Sequence, residues 1–278
     1  MTENGLREAI ERISSGTNPD RDEARAVVLT LLDALEAGTV RAAQPTPSGW
    51  QVNAWVKRGL LLAFRWGVNE GLSVPPFHFR DRDLLPTQDP SSRGRNVRVV
   101  PGGSTVRRGA FLADGVVVMP PAYVNAGAYV GAGTMIDSHA LVGSCAQIGS
   151  GVHLSAAVQV GGVLEPPGAM PVIVEDDAFL GGGCGVYEGT QVGRGAVLAP
   201  GVVLTRAVPL FDAVKARRID ANSGGTLVVP ERAVVVPGSR PAKGEWARAN
   251  GLSLYAPVIV KYRDAATDAA AALEEALR

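Results

Sequence analysis

The feature that most constrains this chain is a spacing of six. Val106, Leu112, Val118, Val124, Val130, Ile136, Val142, Ile148, Leu154 and Val160 follow one another at six-residue intervals without a miss. The phase slips over Gly161 to Val172, then resumes at Val174, Leu180, Val186, Val192, Leu198 and Leu204. If roughly a third of positions are aliphatic, as in ordinary chains, a run of ten matches has chance odds on the order of one in ten thousand or worse. A period of six is neither the 3.6 of a helix nor the 2 of a half-buried strand. It fits a solenoid in which each hexad is one short strand and one corner, and three hexads close one triangular coil. The recurring aliphatic points into the prism, and the Gly or small residue that follows it, as in Val130-Gly131, Val142-Gly143 and Ile148-Gly149, turns the corner. A β-sandwich of short strands would show alternation at irregular spacing instead. A long break covers Thr205 to Thr226, after which Val229 and Val235 add a last turn.

Helical patterns precede the repeat. Asn18-Pro19-Asp20 suits a helix start, with Asn as cap, Pro in the first turn and acids at the positive end of the dipole. Ala24, Val27, Val28, Leu31, Leu32 and Leu35 form one helical face, and Gly38 stops it. Pro45 to Gly49 reads as a loop, and Val52, Trp55, Val56, Leu60 and Ala63 mark another amphipathic helix. Residues 71–97 read as an irregular connector, and Asp264 to Leu277 as a terminal helix. The expected organisation is a helical domain with connector at 1–97, a β-helix with insertion loops at 98–239, and a C-terminal segment at 240–278.

Composition excludes several classes. Lys plus Arg and Asp plus Glu both number 27, a net charge of zero, which argues against a nucleic-acid partner. No apolar leader and no run of about 18 apolar residues is visible, so the expectation is a cytoplasmic protein without membrane contact. Cys145 and Cys184 lie in apolar Gly-rich runs and read as small buried hydrophobes. The only histidines are His78, His139 and His153, too scattered for a catalytic zinc site, so no metal is expected. No phosphate-loop motif is present.

A solenoid of this kind names no reaction. Longer strings are more specific. They begin with Gly49-Trp50-Gln51-Val52-Asn53-Ala54-Trp55-Val56-Lys57-Arg58, Arg98-Val99-Val100-Pro101, Arg108-Gly109-Ala110-Phe111 and Tyr123 to Val130. They continue with Gly133-Thr134-Met135-Ile136-Asp137, Val142 to Gly149 (VGSCAQIG), Val152 to Ser155, and Gly161 to Pro166 (GGVLEP), and close with Ser253-Leu254-Tyr255 and Val258 to Lys261. In this order, over nearly the whole chain, they resemble the tetrahydrodipicolinate N-succinyltransferase family. The resemblance implies a mainly β chain built on a left-handed parallel β-helix, an exception to the usual right-handed crossover. It also implies a homotrimer with active sites between subunits. The substrates would be succinyl-CoA, bringing coenzyme A as cosubstrate, and the small-molecule acceptor tetrahydrodipicolinate in its open amine form. Two departures stand out. Where many members read SEVVEG, this chain reads Cys184-Gly185-Val186-Tyr187-Glu188-Gly189, so the first acid is Gly185 and Glu188 remains; His139 replaces a common Trp. These leave open another acyl-CoA donor such as acetyl-CoA, a related amino-acid acceptor, or a non-catalytic assembly protein on the same fold.

The candidate site follows from the chemistry of acyl transfer. Only a free amine attacks a thioester, so a carboxylate must hold it and take a proton. Asp137 is the first choice and Glu188 the second, and Asp137 alone would otherwise read as a corner Asp satisfying turn backbone. By the resemblance Arg98 offers a guanidinium fork to a substrate carboxylate. Ser144 and Ser155 offer hydroxyls near the groove. Arg240, Lys243 and Lys261 lie where the family holds CoA, and Gly161-Gly162 would let backbone approach its arm, although Gly in a strand also marks a bulge. His153 reads as structural.

Overall fold

The structure is a computed structural model that describes residues 1–16 and 20–264. The period of six becomes a left-handed β-helix of two-residue strands. Phe111–Leu112 pairs in parallel with Tyr129–Val130, and that pair with Gln147–Ile148, each 18 residues on. Three sheets result. The first face begins at Arg98–Val99 and runs to ten strands; the second begins at Thr105–Val106 and the third at Phe111–Leu112, with six strands each. Each inward aliphatic from Leu112 to Val235 is fully buried. A second buried row escapes a count of aliphatics at one phase. Two residues before the inward aliphatics stands a buried residue that is small or β-branched at every coil position from Ala110 to Val202, among them Ala128, Thr134, Ala146, Cys184 and Ala196, with Leu227 before Val229 as the exception. The prism narrows at its corners, so compact side chains predominate there.

Both breaks in the phase fall at one edge of the prism. Gln159–Val160 on the second face is followed by the strand Ile173–Val174 on the third, so residues 161–172 loop outward at the edge between these faces. Two coils later, Val203–Leu204 and Val228–Val229 bracket an excursion at the same edge, and that excursion includes the hairpin Leu210–Asp212 with Arg217–Ile219. Between the two loops, the edge carries the turn Tyr187–Thr190.

Helices α1 (Glu3–Ser15), α2 (Arg21–Glu36) and α3 (Ala54–Trp66) form a separate core that includes Ile10, Leu31, Leu32, Trp55 and Leu60. The cap of α2 is Asp20, whose side chain accepts from the Glu23 N–H at 2.8 Å. Asn18 and Pro19, expected to open this helix, lie outside the described residues. The helical core also takes in Ala126, Cys145 and Leu164, so it rests against the same insertion-bearing edge. From α3, the fully buried Lys57 donates from Nζ to the carbonyl of Ala169 at 2.5 Å and ties the first insertion to the helical domain.

Three expectations are corrected. The segment read as a loop at Pro45 to Gly49 is the tip of a hairpin, Ala43–Thr46 with Gly49–Val52. The connector at 71–97 contains another, Asn69–Val74 with Phe77–Arg82, turning on Pro75-Pro76. Apart from half-buried Arg82, its side chains are exposed, so it lacks the buried face on which strand patterns depend. The boundary at 239/240 falls inside the strand Ala233–Pro241, which pairs antiparallel with Ser253–Tyr262; the segment after it completes the first face instead of standing apart. The terminal helix expected at Asp264 to Leu277 lies, beyond Asp264, outside the described residues. No helix among the described residues is long and apolar enough to cross a membrane.

Candidate active site

The two insertions and the turn between them enclose a cavity of about 390 Å³. Its walls come from Gly161 to Met170 on one side, Arg206 and Gly224 to Thr226 on the other, and Tyr187 and Glu188 between them. Glu188 lines this cavity, on a turn of unusual geometry. Most other corners place one residue at positive φ, usually Gly, and the corner at Gly102-Gly103 places two glycines there. Here two residues take it, Glu188 at 55° and Gly189 at 72°, with Thr190 N–H donating to the Tyr187 carbonyl at 3.1 Å. Consecutive left-handed residues make a type I′ turn, which disfavours a residue like Glu by about 1–2 kcal/mol. The carboxylate is held in turn by the second insertion: Oε2 accepts the Arg206 backbone N–H at 3.1 Å and lies 4.0 Å from Arg206 Nε.

Asp137 lies at a different edge, between the first and second faces, after Met135–Ile136. Its Oδ1 accepts the Ser138 N–H at 2.7 Å. Its Oδ2 is 3.9 Å from Nε2 of the buried His153, whose ring stands edge-on to Phe179. The histidine neighbour was not anticipated, yet the signal was present. An 18-residue repeat sets 153 beside 135 and so within reach of 137. Ser155 stacks one coil beyond Asp137, while Ser144 belongs to the Glu188 edge and lies beneath Gly162.

The anticipated residues thus fall into separate groups. Ser144, Gly161, Gly162 and Glu188 share one edge; Asp137, Ser155 and His139 share another. Arg98 is exposed at the start of the first face, beside Val117. Arg240 and Lys243 lie toward the tip of the hairpin formed by Ala233–Pro241 and Ser253–Tyr262, and Lys261 at its base opposite Val234, so the lysines do not converge on one phosphate. Lys261 also lies 3.9 Å from Asp264.

The glycines have packing reasons of their own. A Cβ on Gly162 would come within 2.7 Å of the Ser144 backbone nitrogen, because the coils approach closely there. A Cβ on Gly161 would come within 2.8 Å of the Tyr187 ring, and one on Gly185 within 2.5 Å. Gly185 is the one outward strand position of the coils without a side chain, and the Tyr187 ring takes the space. Neither cysteine offers a thiolate. Burial pushes the Cys145 thiol up to about 12, against a smaller opposing pull from Lys57, and burial also raises Cys184. No cluster of metal-ligating side chains occurs among the described residues.

A family model described as the tetrahydrodipicolinate N-succinyltransferase N-terminal region matches residues 3–66, and one described as the hexapeptide repeat of succinyl-transferase matches residues 171–206. A 2,3,4,5-tetrahydropyridine-2,6-dicarboxylate N-succinyltransferase of Afipia carboxidovorans is 41% identical over 99% of this chain and 98% of its own length. Proteins of the same name from Ralstonia nicotianae and Idiomarina loihiensis are 43% and 40% identical, over 92% and 96% of this chain and 90% and 94% of their own. Identity of this extent along both chains, on the fold and edge cavity described above, makes this protein a member of the tetrahydrodipicolinate N-succinyltransferase family.

Proposed function

We propose that the protein transfers the succinyl group of succinyl-CoA to the amine of open-chain tetrahydrodipicolinate in the cytoplasm, releasing CoA and N-succinyl-2-amino-6-oxopimelate on the route to lysine and diaminopimelate. The observation that carries this reading is the cavity around Glu188, in a chain whose whole length matches proteins of that name. The acting form is a homotrimer. Asp137 and Glu188 lie on different edges of one prism, so a site that uses both needs the edge of one copy against the edge of another. Closed cyclic assembly is the ordinary way to arrange this.

In this reading Arg98 binds a carboxylate of the acceptor, and Ser144 and Ser155 hydrogen-bond it. The arm of CoA runs along the edge at Gly161-Gly162, and Arg240, Lys243 and Lys261 face its phosphates at separate points. Asp137 holds the acceptor's ammonium and takes one proton, leaving a nucleophilic amine. The nitrogen attacks the thioester carbonyl directly, since neither cysteine is activated to form an acyl-enzyme. As the tetrahedral intermediate collapses, the nitrogen, cationic after the attack, loses a second proton, the C–S bond breaks, and the CoA thiolate leaves as the thiol with that proton. Glu188, fixed by Arg206, supports the charge changes beside the cavity.

Steady-state assays with succinyl-CoA and acetyl-CoA, each with the acceptor, test the reading. The expected result is acceptor-dependent CoA release with the higher kcat/KM for succinyl-CoA. A preference for acetyl-CoA overturns the donor, and absence of turnover with either leaves the fold as an assembly protein. Light scattering at micromolar protein is expected to give a trimer; a stable monomer counts against the shared site.

A further inference from the structure

We propose that Arg206 selects the acyl donor, its guanidinium pairing with the free carboxylate at the far end of a dicarboxylic acyl group, an assignment that rests on the cavity being the place of acyl transfer. Among the described residues that line the cavity, Arg206 is the one cation, and Glu165 and Glu188 are the acids. Two contacts put the guanidinium at the wall. Its Nε lies 4.0 Å from Glu188 Oε2, and its Nη1 lies 3.9 Å from the point where a Cβ on Gly225 would stand. Glu188 and Gly225 both line the cavity, so the group spans the wall between them. The turn at Gly225 is fixed. Its N–H donates to the Asn222 carbonyl at 2.9 Å, and the Asn222 side chain accepts from the N–H groups of Gly224 and Thr226 at 2.9 and 3.0 Å. With φ at 75° the position suits Gly, and with only hydrogen there this edge of the guanidinium stays uncovered. The guanidinium donates to no described residue, since the bond from Arg206 to Glu188 comes from its backbone N–H.

A planar fork of uncommitted N–H donors is the partner that a carboxylate needs. The arm of CoA at Gly161-Gly162, on the opposite wall, presents its acyl group to the same space. A dicarboxylic acyl group then brings a second, non-reacting carboxylate into walls whose other charges are Glu165 and Glu188. Arg206 attracts that carboxylate and offsets the two acids; without it, the acids alone repel the group. An acetyl group carries no such charge and is indifferent to both. Attraction by one residue and repulsion by its neighbours together separate the two donors. A carboxylate of the acceptor is the competing source for the same fork, and kinetics distinguish the two.

The test is Arg206→Met, which removes the charge and keeps both an unbranched stem and the backbone N–H that holds Glu188. kcat/KM is measured with succinyl-CoA and with acetyl-CoA, and KM for the acceptor with each. The expected result is a fall of about 10²-fold for succinyl-CoA, as for loss of a charged hydrogen-bonding partner, with acetyl-CoA and the acceptor KM within about threefold of wild type. Arg206→Lys restores the charge without the fork and should recover at least about threefold of the loss. A donor ratio within about threefold of wild type in Arg206→Met overturns the proposal and leaves the function standing. Equal losses with both donors also overturn it, because Arg206 would then act only through Glu188. A rise of about tenfold or more in acceptor KM with both donors overturns it and gives the fork to the acceptor. No recovery in Arg206→Lys overturns it as well, since the loss would then come from packing. A wild type that prefers acetyl-CoA, or turns over neither donor, overturns the function and this assignment together.

Discussion

Asp137→Asn tests the proposed base at the atom where it acts. The substitution is nearly isosteric, and the structure shows what it preserves. Asp137 Oδ1 accepts the Ser138 N–H at 2.7 Å, and the amide oxygen of Asn can accept the same bond. The amide nitrogen then replaces Oδ2, the oxygen 3.9 Å from His153 Nε2. The turn therefore keeps its backbone partner, and what disappears is the capacity to take a proton. Removing a positioned acid–base group costs about 10² to 10⁴ in rate, or roughly 2.7–5.5 kcal/mol of barrier. The Asp137 side chain is 30% exposed, so water can reach the substrate ammonium and replace part of the function. The expected loss thus lies toward the lower end, about 10²- to 10³-fold in kcat, with the trimer, melting temperature and CoA affinity unchanged. The residual rate should climb with pH as free amine accumulates in solution. CoA release followed with a thiol reagent at saturating substrates measures both. A variant within threefold of wild-type kcat refutes the assignment and moves the search to Glu188 or His139.

Glu188→Gln should lower kcat by about tenfold if the acid only supports the site, and by as much as Asp137→Asn if it is the base; the two variants assayed together decide which carboxylate takes the proton. Leu154→Ala removes three carbons from a fully buried position between Ile136 and Leu180 in a shaft whose walls are held by coil-to-coil hydrogen bonds, so it should cost about 3–4 kcal/mol in urea denaturation; a cost below about 1 kcal/mol would mean that the shaft collapses around the gap. Lys57 gives a pH signature. Burial depresses its pKa, with Cys145 opposing weakly, so the unfolded chain binds more protons than the folded one between the depressed value and the ordinary lysine range. Wild-type stability relative to Lys57→Met should therefore rise with pH across that window, by at most about 1.4 kcal/mol per pH unit. A difference in denaturation free energy that stays flat from pH 7 to 10 contradicts a buried ammonium.

The amino-acid sequence by itself determined the solenoid. A buried aliphatic every sixth residue is a local rule repeated coil after coil, and each coil touches only its neighbours, so the pattern survives on the page as a period. The helices Arg21–Glu36 and Ala54–Trp66 were legible from their apolar faces, while Asp137 and Glu188 were singled out only through the resemblance of the strings that contain them. The hairpin at Asn69–Val74 and Phe77–Arg82 was not legible, because its side chains are largely exposed and leave no buried face to read. Only the tertiary structure decided how the candidate residues group. Counting in sixes puts every hexad on some face, but whether two residues share an edge depends on their position modulo 18 and on the insertions that shift it. That arithmetic sends Asp137 and Glu188 to different edges, puts His153 beside Asp137, and stacks both insertions on one edge to make a cavity. It also explains Gly185. Read along the chain it is a missing side chain; in three dimensions it is the space in which the ring of Tyr187 lies, because residues two apart on a strand share a face and the larger of the two excludes the other.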